Sequence, residues 1–393
     1  MSDRRTSAVT RVCTRCVMDT TAVDIHFDSD GVCNYCREFE SGLHARHDRS
    51  REGGGLPGDP EALQRLVRHI RDHGKGKPYD CVQGVSGGAD SSWALVQAVE
   101  LGLRPLAVHM DNGWNSELAQ NNIANLVRGL KVDLYTHVID WDEYRRLMQA
   151  FFDADVVDVE LLYDNAMLAV NFQQASAFGV KYILAGTNVA TEGLAIPPTW
   201  NWFKLDRRNI LAIGRRAGVR GLRTFPAIGV LGYAWHTAAR REQWVSFLDF
   251  FPFEKERALQ KLETEFGYKR YPYKHYESVF TRFYQGYILP RKFGIDKRLV
   301  HLSTLIVAGQ LSREAALRDL ERIAYPSERA LEDDLRYFLK KMGWTPSQLN
   351  EYLMRPSRPH QEFGSERATM DMIRRLNALV PSGIRDLLRR KVS

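Results

Sequence analysis

A doubly wound parallel α/β sheet, preceded by a small cysteine knuckle and followed by a helical extension, is the fold that the sequence predicts. Three observations point to it. Apolar runs of strand length alternate with helix-length stretches between residues 61 and 185, a glycine-rich turn directly follows one of those runs, and two Cys-x-x-Cys pairs stand near the start of the chain. Strands joined by helix-length crossovers pair parallel, and a parallel sheet needs helices over both faces.

The elements justify that fold in turn. Cys13-x-x-Cys16 and Cys33-x-x-Cys36 have the two-knuckle spacing of a structural, ribbon-like zinc site, since two intervening residues let one tight turn present both sulfurs at ~2.3 Å from a metal. A shell closed by thiolates leaves no place for water, so Zn2+ there holds structure and does no chemistry; an iron–sulfur cluster or paired disulfides are the other outcomes of such spacing. Gly53, Gly54, Gly55, Pro57, Gly58 and Pro60 read as a linker, which sets off residues 1–55 as a zinc-binding segment with its linker. Residues 56–230 follow as the α/β domain. Its helices are expected over 61–72, 91–101, 117–130 and 163–178, and its strands over 80–85, 105–110, 133–138 and 182–185, with the fifth cysteine, Cys81, in the core of the first strand. A Gly-, Pro- and Trp-rich loop over 186–202 and a basic helix over 206–216 come next. Residues 231–393 read as an aromatic and basic region, a lid or a packed helix face over 271–298, leading into helices around 314–323 and 331–341.

Composition bounds the function. With 393 residues, 44% hydrophobic and 26% charged, the chain is neither disordered nor collagenous. No stretch reaches the ~18 apolar residues of a membrane span. Residues 1–11 are polar and basic without the apolar centre of a signal peptide, so a cytoplasmic protein with no membrane partner is expected. The formal charge of +7 argues only weakly for nucleic acid and equally suits nucleotides and acidic sugars.

The strand over 80–85 runs into Ser86-Gly87-Gly88-Ala89-Asp90-Ser91-Ser92 at the start of a helix. Two glycines let successive backbone N–H groups point into one concavity, and the helix N-terminus adds positive potential, which makes a phosphate cradle. Ser86, Ser91 and Ser92 add hydroxyls. Asp90 would repel phosphate unless a cation intervenes, and Mg2+ held by Asp90 resolves the conflict. No lysine follows the glycines, so this is not a Walker loop. Ligands of such sheets lie at the carboxyl ends of the strands, where Ser86, Asp111 and Gly186 fall.

The segment resembles the PP-loop of the ATP pyrophosphatases, which include asparagine synthetase, ammonia-dependent NAD synthetase, GMP synthetase and tRNA thiolation enzymes. The resemblance implies a HUP-like sheet and cleavage of ATP between its α- and β-phosphates. It also implies a nucleotide pocket lined by Val108, Met110, Asp111, Gly186 and Thr187, in which Asp111 is a ribose or metal contact or else a loop cap.

Further residues are similar to those of the N-acetyl sugar amidotransferases: Cys-Thr-Arg-Cys-Val-Met-Asp-Thr at 13–20, Gly-Val-Cys-Asn-Tyr-Cys at 31–36, Asp111 to Ser116, Gly186 to Gly193, His275-Tyr276-Glu277-Ser278, and 289–298. Together they span residues 13 to about 320. This resemblance implies conversion of an acetamido group of a nucleotide sugar or nonulosonic acid into an acetamidino group, through an adenylated imidate that ammonia attacks, during lipopolysaccharide O-antigen or related surface polysaccharide synthesis. Thr187 stands where a glycine or similar small residue is expected.

Asn188 and Glu192 fall where they can reach sugar hydroxyls, and Glu192 is either a proton acceptor for ammonia or a loop cap. Lys204 is a candidate for a sugar carboxylate or diphosphate and Asp206 for a second magnesium, with ordinary surface charge as the alternative for both. Lys292 belongs to the possible lid. Trp114 either stacks on a base or sugar or lies at the core edge. With four cysteines committed to metal, Cys81 in a strand and Ser2 at the second position, no glutaminase nucleophile remains. The resemblance accordingly implies an ammonia-supplying glutaminase with a cyclase-like subunit, similar to the pair in imidazole glycerol phosphate synthase. A tRNA-thiolating enzyme and a nucleotide-binding protein without turnover are the competing functions; thiolation asks for cysteines that the zinc site has already taken.

Overall fold

In the computed structural model, which describes residues 10–51, 59–272 and 276–379, five parallel strands form one sheet. Most of the glycine-rich linker, Ser2, and Tyr273, Lys274 and His275 lie outside the described residues. The first elements are α1 (Asn34–Arg51), α2 (Pro60–Gly74), β1 (Cys81–Gly84), α3 (Ala89–Glu100), β2 (Pro105–Asp111), α4 (Glu117–Leu130) and β3 (Leu134–Val138). They are followed by α5 (Trp141–Asp153), α6 (Leu161–Ala177), β4 (Tyr182–Ala185), α7 (Val189–Glu192), α8 (Arg207–Arg216), α9 (Val230–Ala234), β5 (Gln243–Ser246) and α10 (Lys255–Phe266). The strand order is β3-β2-β1-β4-β5.

Helix starts follow from local chemistry. Asp59 accepts from the Glu61 and Ala62 amides ahead of Pro60, and Ser116 accepts from Ala119 N, each satisfying N–H groups that the first turn leaves open. The sheet is covered on both faces. Cys81 and Leu184 pack against Val67 and Ile70 of α2 and Ala94 and Ala98 of α3, while Val82, Leu106, Val108, Met110 and Ile183 point the other way, into the core that α5 and α6 share.

Several elements escape the sequence reading, and two of them bear on the sheet. α5 is one, started by the Asp140 side chain accepting from Glu143 N at 2.9 Å. β5 is the other: a four-residue strand, Gln-Trp-Val-Ser, recruited by pairing along β4, with Ile183 opposite Trp244. β5 and α10, which packs against α3 and α4, both lie beyond residue 230, so that boundary cuts through the sheet and is corrected.

The C-terminal helices are α11 (Val279–Phe283), which continues as a π-helical stretch over Tyr284–Phe293, then α12 (Arg298–Val307), α13 (Arg313–Leu320), α14 (Glu328–Met342), α15 (Pro346–Met354) and α16 (Arg367–Leu379). Among its described residues, segment 271–298 packs against the rest of the chain. Arg282 pairs with buried Asp334, Lys297 with Glu160 and Arg298 with Asp296, while Tyr276 and Tyr284 are buried. The cysteine knuckle docks on these helices through Arg313, whose guanidinium donates to the carbonyls of Cys16 and Cys13 at 3.0 Å each, and through Val17 N donating to Ser303 Oγ at 3.2 Å.

Candidate active site

The strand order reverses at β1 and β4, so the loops leaving these two strands diverge and open a crevice at their carboxyl ends. Gly87 sits there at φ +82°, and a Cβ on it would stand 2.7 Å from the Ala119 carbonyl, so only glycine makes this turn. Ser86 Oγ accepts from Gly88 N at 3.2 Å and lies 3.1 Å from Ser91 Oγ, which in turn donates to the Gly88 carbonyl at 3.2 Å. The hydroxyls thus hold the loop open around its amides. Gly186, at the end of β4, lies so close to the start of α3 that a Cβ would meet Ser91 N at 2.6 Å. Asp90 accepts from Thr191 Oγ1 at 3.0 Å, tying the two loops together.

From the C-terminal side, Tyr271 donates to the Gly87 carbonyl at 3.1 Å, and a Glu277 carboxylate oxygen lies 3.3 Å from the place a Gly88 Cβ would take. Two carboxylates, Asp90 and Glu277, beside an anion cradle make a donor set that fits a hard divalent cation such as Mg2+. Residues 277–279 are clamped across the loop after β2: Ser116 N donates to Glu277 O at 2.8 Å and Val279 N to Trp114 O at 2.9 Å. His109 locks the β1 and β2 ends together, donating from Nδ1 to Val85 O and accepting at Nε2 from Asn115 Nδ2, both at 2.9 Å. Burial pushes its pKa down and keeps it neutral.

Several residues chosen from sequence are used otherwise. Trp114 is fully buried, donates to Met148 Sδ at 3.1 Å and packs on Phe338, so it meets no base or sugar. Val108 and Met110 face the core. Lys292 is enclosed, its ammonium held by Asp155 at 2.9 Å and by the carbonyls of Tyr352 and Arg355 at 2.7 and 2.9 Å. Asp206 is buried as the cap of α8, accepting from Asn209 N at 3.1 Å and Trp202 Nε1 at 2.9 Å, which leaves it no role as a magnesium ligand.

Lys204 lies between Asp158 at 2.6 Å and Asp164 at 2.8 Å, and is no open cation for a diphosphate. Asn188 is buried and shapes its own loop, accepting from Thr191 N at 2.9 Å and donating to Gly186 O at 3.2 Å. Asp111 caps its loop, accepting from Gly113 N at 2.8 Å and Asn115 Nδ2 at 3.3 Å. Thr187 Oγ1 lies 3.1 Å from Ser246 Oγ of β5, and Glu192 is exposed at the end of α7. The sequence missed the approach of Tyr271 and Glu277 to the cradle; of these only Glu277 carried a signal, its place in the His275 to Ser278 run.

His360 is a buried reporter of acid stability in this half of the molecule. Its Nδ1 donates to Asn209 Oδ1 at 2.8 Å, its ring stacks on Trp202 at 4.8 Å, and burial pushes its pKa from 6.5 down to about 4. The folded state thus binds fewer protons than the unfolded state between those values, and stability falls as pH drops from 6.5 towards 4, by up to about 3 kcal/mol. In urea unfolding, His360→Asn is expected to be less stable at pH 7 and to have a flatter profile over that window. A profile as steep as that of the unsubstituted protein would refute the assignment.

The knuckle passes a geometric test for zinc. The four buried sulfurs of Cys13, Cys16, Cys33 and Cys36 lie within 4.8 Å of one another. Cys16 and Cys33 Sγ are 3.7 Å apart, near the edge of about 3.8 Å that a tetrahedron with ~2.3 Å bonds requires. Amides of Arg15, Cys16 and Cys33 point at Cys13 Sγ at 3.4, 3.5 and 3.2 Å, which favours thiolate. All five cysteines are free thiols rather than disulfides. Cys81 is fully buried, and burial together with neighbouring Asp80 pushes its thiol pKa up, so it is inert.

The sheet order, the Ser-Gly-Gly-x-Asp-Ser cradle at its switch point and the helical C-terminal region define a doubly wound parallel α/β protein with a phosphate-binding turn at the crevice. Residues 277–377 match the family described as LPS biosynthesis protein WbpG-like, C-terminal domain. That match begins at Glu277, the residue bordering the cradle, and it agrees with the amidotransferase resemblance carried by the motifs. No curated protein matches the sequence. Among solved structures, the NMN synthetase from Francisella tularensis is 17% identical with a TM-score of 0.26, over 55% of this chain and 98% of that one. The glutamine-dependent NAD+ synthetase from Acinetobacter baumannii, in complex with ADP, is 16% identical with a TM-score of 0.31, over 66% of this chain and 43% of that one. The NH3-dependent NAD synthetase from Campylobacter jejuni is 15% identical with a TM-score of 0.27, over 51% and 82%. Likenesses this slight carry no weight for function. Among the described residues no helix is long and apolar enough to cross a membrane.

Proposed function

We propose that the protein is an ATP-dependent amidotransferase that turns the acetamido group of an N-acetyl sugar, a nucleotide sugar or nonulosonic acid, into an acetamidino group for lipopolysaccharide synthesis, acting in the cytoplasm. The observation that supports this best is the meeting of a phosphate cradle and a WbpG-like domain in one crevice, with Glu277 of the latter beside Gly88 of the former. An amide oxygen is a poor leaving group, so its exchange for nitrogen requires activation. The acetamido oxygen attacks the α-phosphate of ATP, pyrophosphate departs, ammonia adds to the activated carbon, and AMP leaves with the original oxygen. The amides of Gly87 and Gly88 and the N-terminus of α3 stabilise the charge that collects on pyrophosphate. Asp90 and Glu277 would hold Mg2+, which neutralises phosphate charge when bound. Exposed Glu192, at the end of α7, is the candidate to take the proton that ammonia sheds, and the Cys13, Cys16, Cys33 and Cys36 cluster would hold Zn2+ structurally.

With Cys81 inert and the other cysteines clustered, ammonia comes from a separate glutaminase, paired with a cyclase-like subunit that channels it. Incubated with ATP and a panel of acetamido sugars, the purified protein is expected to form AMP and pyrophosphate, and an amidino product with ammonium at alkaline pH but not with glutamine. ADP and orthophosphate as products would overturn the chemistry; efficient glutamine-dependent turnover surviving Cys81→Ser would overturn the partner.

A further inference from the structure

The basic helix α8 and the segment after it have no place in the chemistry above, yet residues 207–241 hold eight arginines and no acidic residue. Arg207, Arg208, Arg215, Arg216, Arg220 and Arg223 are all exposed, and among the described residues none of the six forms an ion pair. Arg215 donates instead to Leu211 O and Arg216 to Glu362 O, each at 3.0 Å, so their charge stays uncompensated. Arg208 and Arg215, two turns apart, share one face of α8.

Three helices start together beside these arginines. The Glu366 carboxylate accepts from Arg208 N in the first turn of α8 at 3.0 Å and from Val230 N at the start of α9 at 2.7 Å, and the next residue, Arg367, opens α16. Two of these helices carry an apolar pair one turn apart that lies in water: Leu231 and Trp235 from the start of α9, 71% and 62% exposed, and Met372 and Leu376 on α16, 56% each. At about 1.5 Å of rise per residue, all four leave the backbone within roughly 15 Å of the shared carboxylate, measured along their helices. No residue of α16 from Arg367 to Leu376 is buried, and Arg367, Arg374 and Arg375 add exposed charge there. Asp371 answers Arg374 at 4.0 Å and Glu366 is occupied by amides, so positive charge prevails. Large apolar side chains exposed together within a basic surface mark a place of interaction.

We propose that this surface docks the protein on a membrane rich in anionic lipid headgroups. Leu231, Trp235, Met372 and Leu376 enter the boundary between headgroups and acyl chains, and the arginines of α8 and α16 lie over lipid phosphates. Charge selects this partner over a second copy, since a two-fold axis through the surface would set arginine against arginine. A nucleic acid would satisfy the arginines, but Leu231, Met372 and Leu376 gain little from a phosphodiester backbone, whereas an anionic bilayer takes both kinds of side chain. The indole of Trp235 suits that depth, because its rings leave water while its N–H stays in the polar layer. Such docking is peripheral and involves no membrane span, so it revises only the expectation of no membrane partner.

The test is flotation of the full chain with vesicles of phosphatidylcholine alone and of phosphatidylcholine mixed with phosphatidylglycerol. Binding is expected to the mixed vesicles and not to phosphatidylcholine alone, and it should weaken as salt is raised. Arg207→Gln and Arg375→Gln should each lower the partition coefficient about fivefold. Leu231→Ser with Trp235→Ser, which keeps every charge, should lower it about tenfold or more. All four side chains are exposed, so the melting temperature should hold in each variant. Binding to neither vesicle, equal binding to both, or binding unchanged in the Leu231→Ser, Trp235→Ser variant would overturn the proposal. A concentration-dependent dimer that the same variant disperses would give the surface to a second copy instead, and capture of tRNA that only the arginine substitutions weaken would give it to nucleic acid. None of these measurements uses substrate, so the amidotransferase reading stands or falls separately.

Discussion

Asp90→Ala is expected to abolish formation of AMP and pyrophosphate while leaving the protein folded. Asp90 lies in the first turn of α3, beside the amides of the cradle, and ties that turn to the loop after β4 through Thr191 Oγ1 at 3.0 Å. Removing it deletes a carboxylate that, on the proposed function, would hold a cation against phosphate, and frees the Thr191 loop at the edge of the crevice. Losing one preorganised charge-stabilising group lowers turnover by about a hundred- to a thousandfold, and with the loop also released a fall of about a thousandfold or more is expected. The cost to folding is small by comparison, since an acidic side chain in a first helical turn contributes about 0.3–1 kcal/mol. Ser86→Ala should be milder, because the Ser86 hydroxyl positions Gly88 N within a loop that Gly87 and Gly186 already constrain. Quantifying AMP by chromatography, alongside a thermal melt, separates the two. AMP formation by Asp90→Ala within tenfold of the unsubstituted protein would show that the cradle has been misassigned.

The second large effect is expected on losing the metal. About one zinc per chain should be found by elemental analysis, held by Cys13, Cys16, Cys33 and Cys36, and Cys33→Ser should release it. Structural zinc sites of this type contribute on the order of 10 kcal/mol to the folding of their own module. The consequences reach beyond the first fifty residues because the knuckle is wedged between two functional regions. A Cβ on Gly193 would lie 2.5 Å from the Phe39 ring, so the knuckle helix bears directly on the loop after β4, while Arg313 and Ser303 anchor the knuckle to α13 and α12. Leu194 N also donates to Thr304 Oγ1 at 3.4 Å, so the same loop leans on α12. A melting temperature lower by roughly 10 °C is expected, with turnover reduced through disorder of residues 188–194. Arg313→Ala should retain zinc and show a smaller shift. Absence of zinc, or iron in its place, would refute the assignment.

Much of the scaffold was legible because it depends on neighbours in sequence. The turn at Gly87 needs a positive φ, Ser116 and Asp59 mark helix starts, and the apolar runs of β1, β2 and β4 have the unbroken hydrophobicity of strands buried on both faces. The spacing of the four cysteines likewise settles a cluster before any tertiary contact is known. Side-chain direction is a different matter. Lys204 and Lys292 looked like cations for an anionic substrate, yet each is claimed by carboxylates from a distant part of the chain, Asp158 and Asp155. Trp114 follows an exposed-looking Asp-Asn-Gly turn and ends at the centre of an aromatic core built from Phe280 and Phe338.

Sequence by itself determined the first four strands, four of the helices around them, the cradle and the cysteine cluster, since backbone geometry, capping and ligand spacing act over a few residues. Tertiary structure alone decided that Gln243–Ser246 becomes the fifth strand, that Glu277 reaches Gly88, and that Asp158, Asp164 and Lys204 converge. A short polar strand is stable only once an open sheet edge offers it hydrogen bonds, and a charged side chain finds its partner only when packing has fixed which residues are desolvated together.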